Sequence, residues 1–149
     1  MMLSKKESLF RMVHHINRKA IADSLLKIIM LEASELVSDL TLNFENELKY
    51  ELLEKILDSF DPRDQERSVN ICEFFIEGMS FPTNSRKFVN LIIKNKSLME
   101  KFFSLCQTNL TTDVGKELLK TMNILTESLM KEIRYTLKDL AGIVEGNFI

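Results

Sequence analysis

LEKILDSF, residues 53–60, carries Leu53, Ile56, Leu57 and Phe60 at spacings of three and four residues. This spacing places the four side chains on one stripe of a helix. The same stripe recurs 44 residues upstream and 46 residues downstream, as Leu9, Met12, Val13, Ile16 and as Met99, Phe102, Phe103, Cys106. The recurrence predicts an internal helical repeat.

A longer helix follows each stripe, and a capping residue precedes it: Asn17, Asp61 and Thr112. A short helix followed by a longer one, with a period of about 40–47 residues, is typical of armadillo and HEAT repeats. We therefore predict one all-α domain over residues 1–149. Its architecture would be an armadillo/HEAT-like right-handed superhelix of about three helical-hairpin units, at 4–38, 45–79 and 83–140. A compact helical bundle is the alternative, because amphipathic helices of any origin align to some degree.

The strongest boundary in the chain is Asp61-Pro62, because Asp caps helices and Pro fits their first turn. It predicts a helix over 62–78 that ends at Gly78 and the break at Phe81-Pro82. Other predicted helices cover 4–16 and 18–38, with a connection over 39–44. The last helix, 113–130, either continues or bends into another over 132–140.

Composition also favours a helical domain. The chain has 149 residues, of which 45% are apolar and 28% charged, so disorder is not expected. Four Gly and two Pro are too few for an all-β sandwich or a Gly-rich nucleotide-binding loop. The net charge of −2 provides no general attraction to nucleic acid or to an anionic membrane.

The location that we expect is cytoplasmic, with the nucleus left open. Cys72 and Cys106 lie far apart and form no CxxC motif, which indicates a reducing compartment. The N-terminal residues lack the apolar core of a signal peptide, and no segment reaches the roughly 20 apolar residues of a membrane span. We therefore expect no membrane partner.

Nothing in the sequence points to catalysis. His14 and His15 are adjacent, so their side chains point about 100° apart on a helix and are poorly placed to share a metal ion. Cys72 and Cys106 lie on apolar stripes, where thiols behave as small hydrophobes. No Walker, HExxH, GxSxG or zinc-finger spacing occurs. We expect a protein that is not an enzyme and has no catalytic residue, metal or cofactor.

HINRKAIADSLLK, residues 15–27, resembles a segment of the SAPS family, the large regulatory subunits that associate with the type 2A-like protein phosphatase 6. A looser resemblance extends over residues 9–106. It implies an armadillo-like domain that serves as a phosphatase scaffold or a substrate-targeting surface. Family members are several times longer, and no phosphatase-contact residue is carried over from them.

Charge changes sign along the chain. Residues 1–31 hold six basic and two acidic groups, residues 32–80 hold four and thirteen, and residues 81–149 hold ten and seven. In a solenoid this order would place an acidic belt between two basic edges and could steer a partner with a complementary surface. An ordinary charged, solvated surface is the other interpretation.

Candidate partner-binding residues follow from this pattern. They are the acidic Glu66, Glu73 and Glu77, the aromatic Phe81 beside a helix break, and the basic Arg86 and Lys87. Phe148 has a setting similar to that of Phe81. No aromatic side chains interleave with the basic group, so single-stranded nucleic acid is not favoured.

Together these features predict a non-enzymatic protein-interaction scaffold that binds or targets a type 2A-like serine/threonine phosphatase. The alternative is a helical adaptor or a subunit of a larger assembly, such as a ribonucleoprotein.

Overall fold

The computed structural model describes residues 5–30, 39–80 and 85–147, and the side chains of 6–30, 47–80 and 85–142. These residues form seven helices and no strand, which confirms the all-α class. The helices are α1 (Lys5–Val13), α2 (Lys19–Met30), α3 (Asp39–Asp58), α4 (Gln65–Ser80), α5 (Ser85–Ile93), α6 (Lys96–Asn109) and α7 (Gly115–Asn147).

The helices pack in two rows. In the first row α3 contacts both α1 and α6, and in the second row α4 contacts both α2 and α7. The rows are joined by contacts between α1 and α2 and between α6 and α7. Helix α5 packs against α4, α6 and α7. In each row, therefore, helices that follow one another along the chain are also neighbours in space.

Four phenylalanines form the centre of the core. The rings of Phe75 and Phe102 lie edge to face at 4.6 Å between centroids, Phe74 lies 5.1 Å from Phe75, and Phe88 lies 6.0 Å from Phe75. Such edge contacts suit the aromatic quadrupole. Because these rings come from α4, α5 and α6, one cluster joins three helices.

The predicted stripes are buried or partly buried in the first two copies, whereas the third has one exposed member. Leu9, Val13 and Ile16 of the first copy and Leu53, Ile56 and Leu57 of the second are all buried. In the third copy Phe102 is buried, whereas Phe103 keeps 50% of its surface exposed. The contacts of α6 with α3 and α7 bury the side of α6 that holds Leu98 and Phe102, and leave Phe103 outside.

Several helix ends differ from the prediction. Helix α1 ends at Val13, and the first residues of α3, Asp39 to Phe44, are helical although a connection was predicted there. Helix α7 is continuous from Gly115 to Asn147 and so includes most of both segments predicted at 113–130 and 132–140. The predicted end of the second helix, over 31–38, lies outside the described residues.

Asp64, and not Asp61, caps α4. The Asp64 carboxylate accepts a hydrogen bond from the backbone N–H of Arg67 at 3.1 Å, the usual N-cap geometry. Asp61 instead accepts hydrogen bonds from the backbone N–H of Arg63 at 2.9 Å and from its side chain, and these lower the pKa of Asp61. The prediction that a helix begins at Pro62 was therefore wrong by three residues, because Asp61 and Pro62 form a turn before it.

Gly78 lies inside α4 rather than at its end. A Cβ atom at this position would lie 2.6 Å from the buried ring of Phe88. The glycine is needed because it lets α4 approach the α5 ring closely. The sequence indicated a helix end at Gly78 because glycine is common at helix ends as well as where two helices approach closely.

We expect Gly78→Ala to lower the free energy of unfolding by about 1–3 kcal/mol, since the new methyl group overlaps a ring that is enclosed on all sides. Urea denaturation monitored by circular dichroism measures this change. Gly142→Ala is the matched control: no atom lies within 4 Å of its added Cβ, so it should raise stability by about 0.5–1 kcal/mol. A Gly78→Ala protein as stable as the parent would contradict the close packing.

Candidate functional site

The turn between α1 and α2 is held by two side chains of α4. Arg67 donates from its guanidinium to the carbonyl oxygens of Val13 at 3.2 Å and His14 at 2.5 Å. Asn70 donates from its side-chain amide to the carbonyls of Ile16 at 3.0 Å and Asn17 at 2.9 Å. Backbone carbonyls at a helix end lack helical partners and must find others. These four bonds fix the start of the segment 15–27 against α4.

Lys19, at the first position of α2, lies among three carboxylates. Its ammonium is 2.7 Å from Glu77, 3.1 Å from Glu73 and 3.3 Å from Asp23. Partial burial disfavours the charged amine, but the hydrogen bonds that the ammonium donates to Glu77 and Glu73 outweigh this effect and raise the pKa of Lys19. The ammonium therefore stays charged through the neutral and mildly alkaline range.

Glu66 completes an acidic row on α4. It lies seven and eleven residues before Glu73 and Glu77, so all three occupy one face of the helix. Its carboxylate is exposed and, within the part of the chain that the structure describes, forms no ion pair. We define the α2–α4 seam as Lys19, Asp23, Glu66, Glu73 and Glu77. One lysine faces four carboxylates there, so the seam is acidic.

An open depression lies at the amino-terminal end of this seam. It has a volume of about 430 Å³. It is lined by Asn17, Lys19, Gln65, Glu66, Val69 and Asn70. Because amide, ammonium and carboxylate groups all border it, the depression offers hydrogen-bond donors and acceptors to a docking polar chain.

The acidic excess of residues 32–80 is partly neutralised within the chain. Lys6 of α1 lies 2.6 Å from Glu51 of α3, and Lys101 of α6 lies 2.8 Å from Asp58 of α3. Lys19 contacts Glu73 and Glu77 in the same way. Lysines from residues 1–31 and from residues 81–149 therefore pair with carboxylates of residues 32–80. The change of charge sign along the sequence therefore contributes to attraction between neighbouring helices.

The basic candidates lie elsewhere, on α5. Arg86 contacts α7, with its Nε 3.0 Å from the Glu132 carboxylate and its guanidinium 4.8 Å above the Tyr135 ring. Lys87 is exposed on the next position. The structure thus groups the three glutamates on α4 and places Arg86 in a separate contact between α5 and α7. Phe81 and Phe148 lie outside the described residues.

The described residues offer no arrangement for metal chemistry. Within these ranges, no three His, Cys, Asp or Glu side chains are grouped to hold a metal ion. His14 and His15 are exposed at the end of α1. Cys72 is buried, and burial raises its pKa to about 11. Burial also raises the pKa of Cys106.

Membrane crossing has no structural basis in the described helices, since none of them has both the length and the apolar content it requires. Comparison with known proteins identifies no relative: no family model, curated protein or solved structure matches the chain. Function must therefore be inferred from the contacts of the chain itself.

Arg67→Ala should lower the free energy of unfolding by about 2 kcal/mol. The His14 carbonyl loses its donor, the Val13 carbonyl keeps only the backbone N–H of Ile16, and the contact with Asp64 is lost. The matched control is Arg63→Ala, four residues earlier. The Arg63 side chain is 90% exposed, so its removal should change stability by no more than about 0.5 kcal/mol. Equal effects of the two substitutions in urea denaturation would show that the turn does not depend on Arg67.

Cys72 should react slowly with iodoacetamide. Because the pKa rises from 9.0 to about 11, the thiolate fraction at pH 8 falls about a hundredfold relative to the unfolded chain, and burial slows access further. Cys106, which is only partly buried, should react sooner. Mass spectrometry of timed samples gives both rates, and a Cys72 as reactive as Cys106 would contradict the buried, protonated thiol.

Proposed function

We propose that the two rows of helices form an armadillo/HEAT-like superhelix of three units: α1 with α2, α3 with α4, and α5 with α6 and α7. The helices that carry the three recurring stripes, α1, α3 and α6, occupy one row, which supports the repeat interpretation. The longer helices that follow them, α2, α4 and α7, occupy the other row. Stacking of like on like is expected for repeat proteins.

The proposed function is a non-enzymatic scaffold that binds the catalytic subunit of a type 2A-like phosphatase. The observation that carries it is the position of the segment 15–27, which resembles the SAPS family. This segment forms the α1–α2 turn and most of α2, and so provides one side of the acidic α2–α4 seam. The resemblance thus falls on the same surface as the Glu66 carboxylate, which forms no ion pair with another described residue.

Binding at the seam would work by electrostatic and hydrogen-bond complementarity. Glu73 and Glu77 are already engaged by Lys19, which holds them in place, and Glu66 has no such partner. A basic surface of the partner would pair with Glu66 and with the outer oxygens of the other carboxylates. Because such contacts are partly exposed, they would add more to the association rate and to specificity than to affinity.

The test uses the full chain and a purified catalytic subunit of protein phosphatase 6. Glu66→Lys should weaken binding about three- to tenfold, because it replaces an attraction with a repulsion. Added salt should narrow the gap between this variant and the parent protein. Biolayer interferometry gives the affinity and both rates.

Glu100→Lys is the matched control. Glu100 is an exposed carboxylate on α6, in the other row, with only a 3.9 Å contact to Lys96. It changes the net charge by the same amount and should leave binding unchanged. Failure of the parent protein to bind the catalytic subunit would contradict the function, and equal losses from the two variants would contradict the seam as the contact surface.

A further inference from the structure

The large hydrophobic side chains that remain exposed are concentrated in the last third of the chain. Among the described residues, those with about half or more of their surface exposed are Phe103, Leu110, Leu119, Met130, Ile133, Tyr135, Leu137 and Leu140. None precedes residue 103. Six of the eight lie on α7, and contiguous apolar surface of this kind marks interaction sites.

Five of the α7 residues form one line. The spacings from Leu119 through Thr126 to Met130, Ile133, Leu137 and Leu140 are seven, four, three, four and three residues. This is the heptad spacing by which one helix packs along another in a coiled coil. We define the outer stripe as Leu119, Met130, Ile133, Leu137 and Leu140.

The outer stripe faces away from the helices that α7 covers. Leu118, Thr121 and Leu125 are buried, and they lie about 100° around α7 from the stripe. Further along, Glu132 and Tyr135 contact Arg86 of α5, and they lie on the far side from Ile133 and Leu137. Up to Tyr135 the domain therefore contacts one side of α7 and leaves the stripe open, and residues 136–142 are exposed all round the helix.

A row of basic residues borders the stripe, about 100° around the helix from it on the side opposite the buried residues. We define the basic row as Lys116, Lys120, Lys131, Arg134 and Lys138. Glu127 is the one carboxylate in the same sector. All five basic side chains are exposed, and none forms an ion pair with another described residue. In contrast, Lys6, Lys19 and Lys101 are all engaged by carboxylates of other helices.

We propose that the outer face of α7 binds an amphipathic helix of a partner protein, with apolar residues at heptad spacing and acidic residues along one edge. The heptad spacing of the outer stripe selects a helix as the occupant. The basic row, which pairs with no carboxylate among the described residues, selects carboxylates beside the apolar contact. A second copy of α7 fits less well, because its stripe is bordered by the same basic row and an antiparallel pair would place the two rows side by side.

The size of the stripe fits such an interaction. Five side chains that are each about half exposed offer roughly 500 Å² of surface, on the order of 100 Å² each. A helix laid along them would form an interface at the small end of the specific range, which is typical of transient complexes. This proposal rests on α7 alone and does not depend on phosphatase binding at the α2–α4 seam.

The experiment uses two synthetic four-heptad peptides, both with Leu at the two core positions of each heptad. The acidic probe has Glu at the positions that flank the core, and the basic probe has Lys there. Fluorescence anisotropy with the full chain should show that the acidic probe binds at least about tenfold more tightly than the basic one. Equal affinities, or no binding of the acidic probe, would overturn the proposal.

Two variants locate the contact. The double variant Ile133→Gln, Leu137→Gln should weaken binding of the acidic probe at least about tenfold. Both residues are exposed, so the fold should persist. Arg134→Glu with Lys138→Glu should weaken it about tenfold and reduce its salt dependence. The matched controls are Leu110→Gln and the pair Lys94→Glu with Lys96→Glu, which lie off the face and should change nothing.

Two further measurements test the other occupants. Analytical ultracentrifugation of the parent chain should show a monomer; a dimer that the Ile133→Gln, Leu137→Gln variant abolishes would overturn the partner helix in favour of a second copy. Sedimentation with phosphatidylserine-containing vesicles should show no binding. Vesicle binding lost in the same variant, without binding of the acidic probe, would assign the face to a membrane surface instead.

Discussion

Four backbone carbonyls at the α1–α2 turn accept hydrogen bonds from Arg67 and Asn70 of α4, and the Val13 carbonyl also accepts one from the backbone N–H of Ile16. A helix end without such partners would be costly. The need for these donors fixes where the amino-terminal end of α4 lies. Once it is there, the same helix directs Phe75 into the aromatic core and Glu73 and Glu77 toward Lys19. The core and the acidic seam both depend on this placement of α4.

Periodicity in the sequence was sufficient to predict the helical class and the order of the helices. The stripes that contain Leu9 and Leu53 are buried as expected, because the amphipathic pattern and the packing agree there. The prediction for the third stripe was wrong at Phe103, which is exposed. The neighbouring helices α3 and α7 determine which side of α6 is covered, and the pattern within α6 does not show this. The predictions at Asp61 and Gly78 were wrong for a related reason. Asp occurs both at helix caps and in turns, and Gly occurs both at helix ends and where helices pack closely, so contacts with other parts of the chain decide between the two.

The sequence alone predicts the negative charge of the site, but it does not predict which residues contact one another there. The acidic excess of the middle segment is evident in the sequence, and Glu66, Glu73 and Glu77 do share one face of α4. Lys19, Arg67 and Asn70 were missed, because their partners are more than fifty residues away and become visible only when adjacent helices are known. The outer stripe of α7 was not predicted from the sequence, because its apolar residues were not distinguished from those of the buried stripe on the same helix, which includes Leu118 and Leu125.

We propose that the acidic seam between α2 and α4 is a docking surface for a phosphatase catalytic subunit. Hydrogen–deuterium exchange of the chain, alone and with the purified catalytic subunit of protein phosphatase 6, tests it most directly. We predict slower exchange in peptides that cover residues 15–27 and 65–77, and unchanged exchange over 96–109. Slower exchange confined to 96–109, or no change anywhere in the chain, would contradict the account.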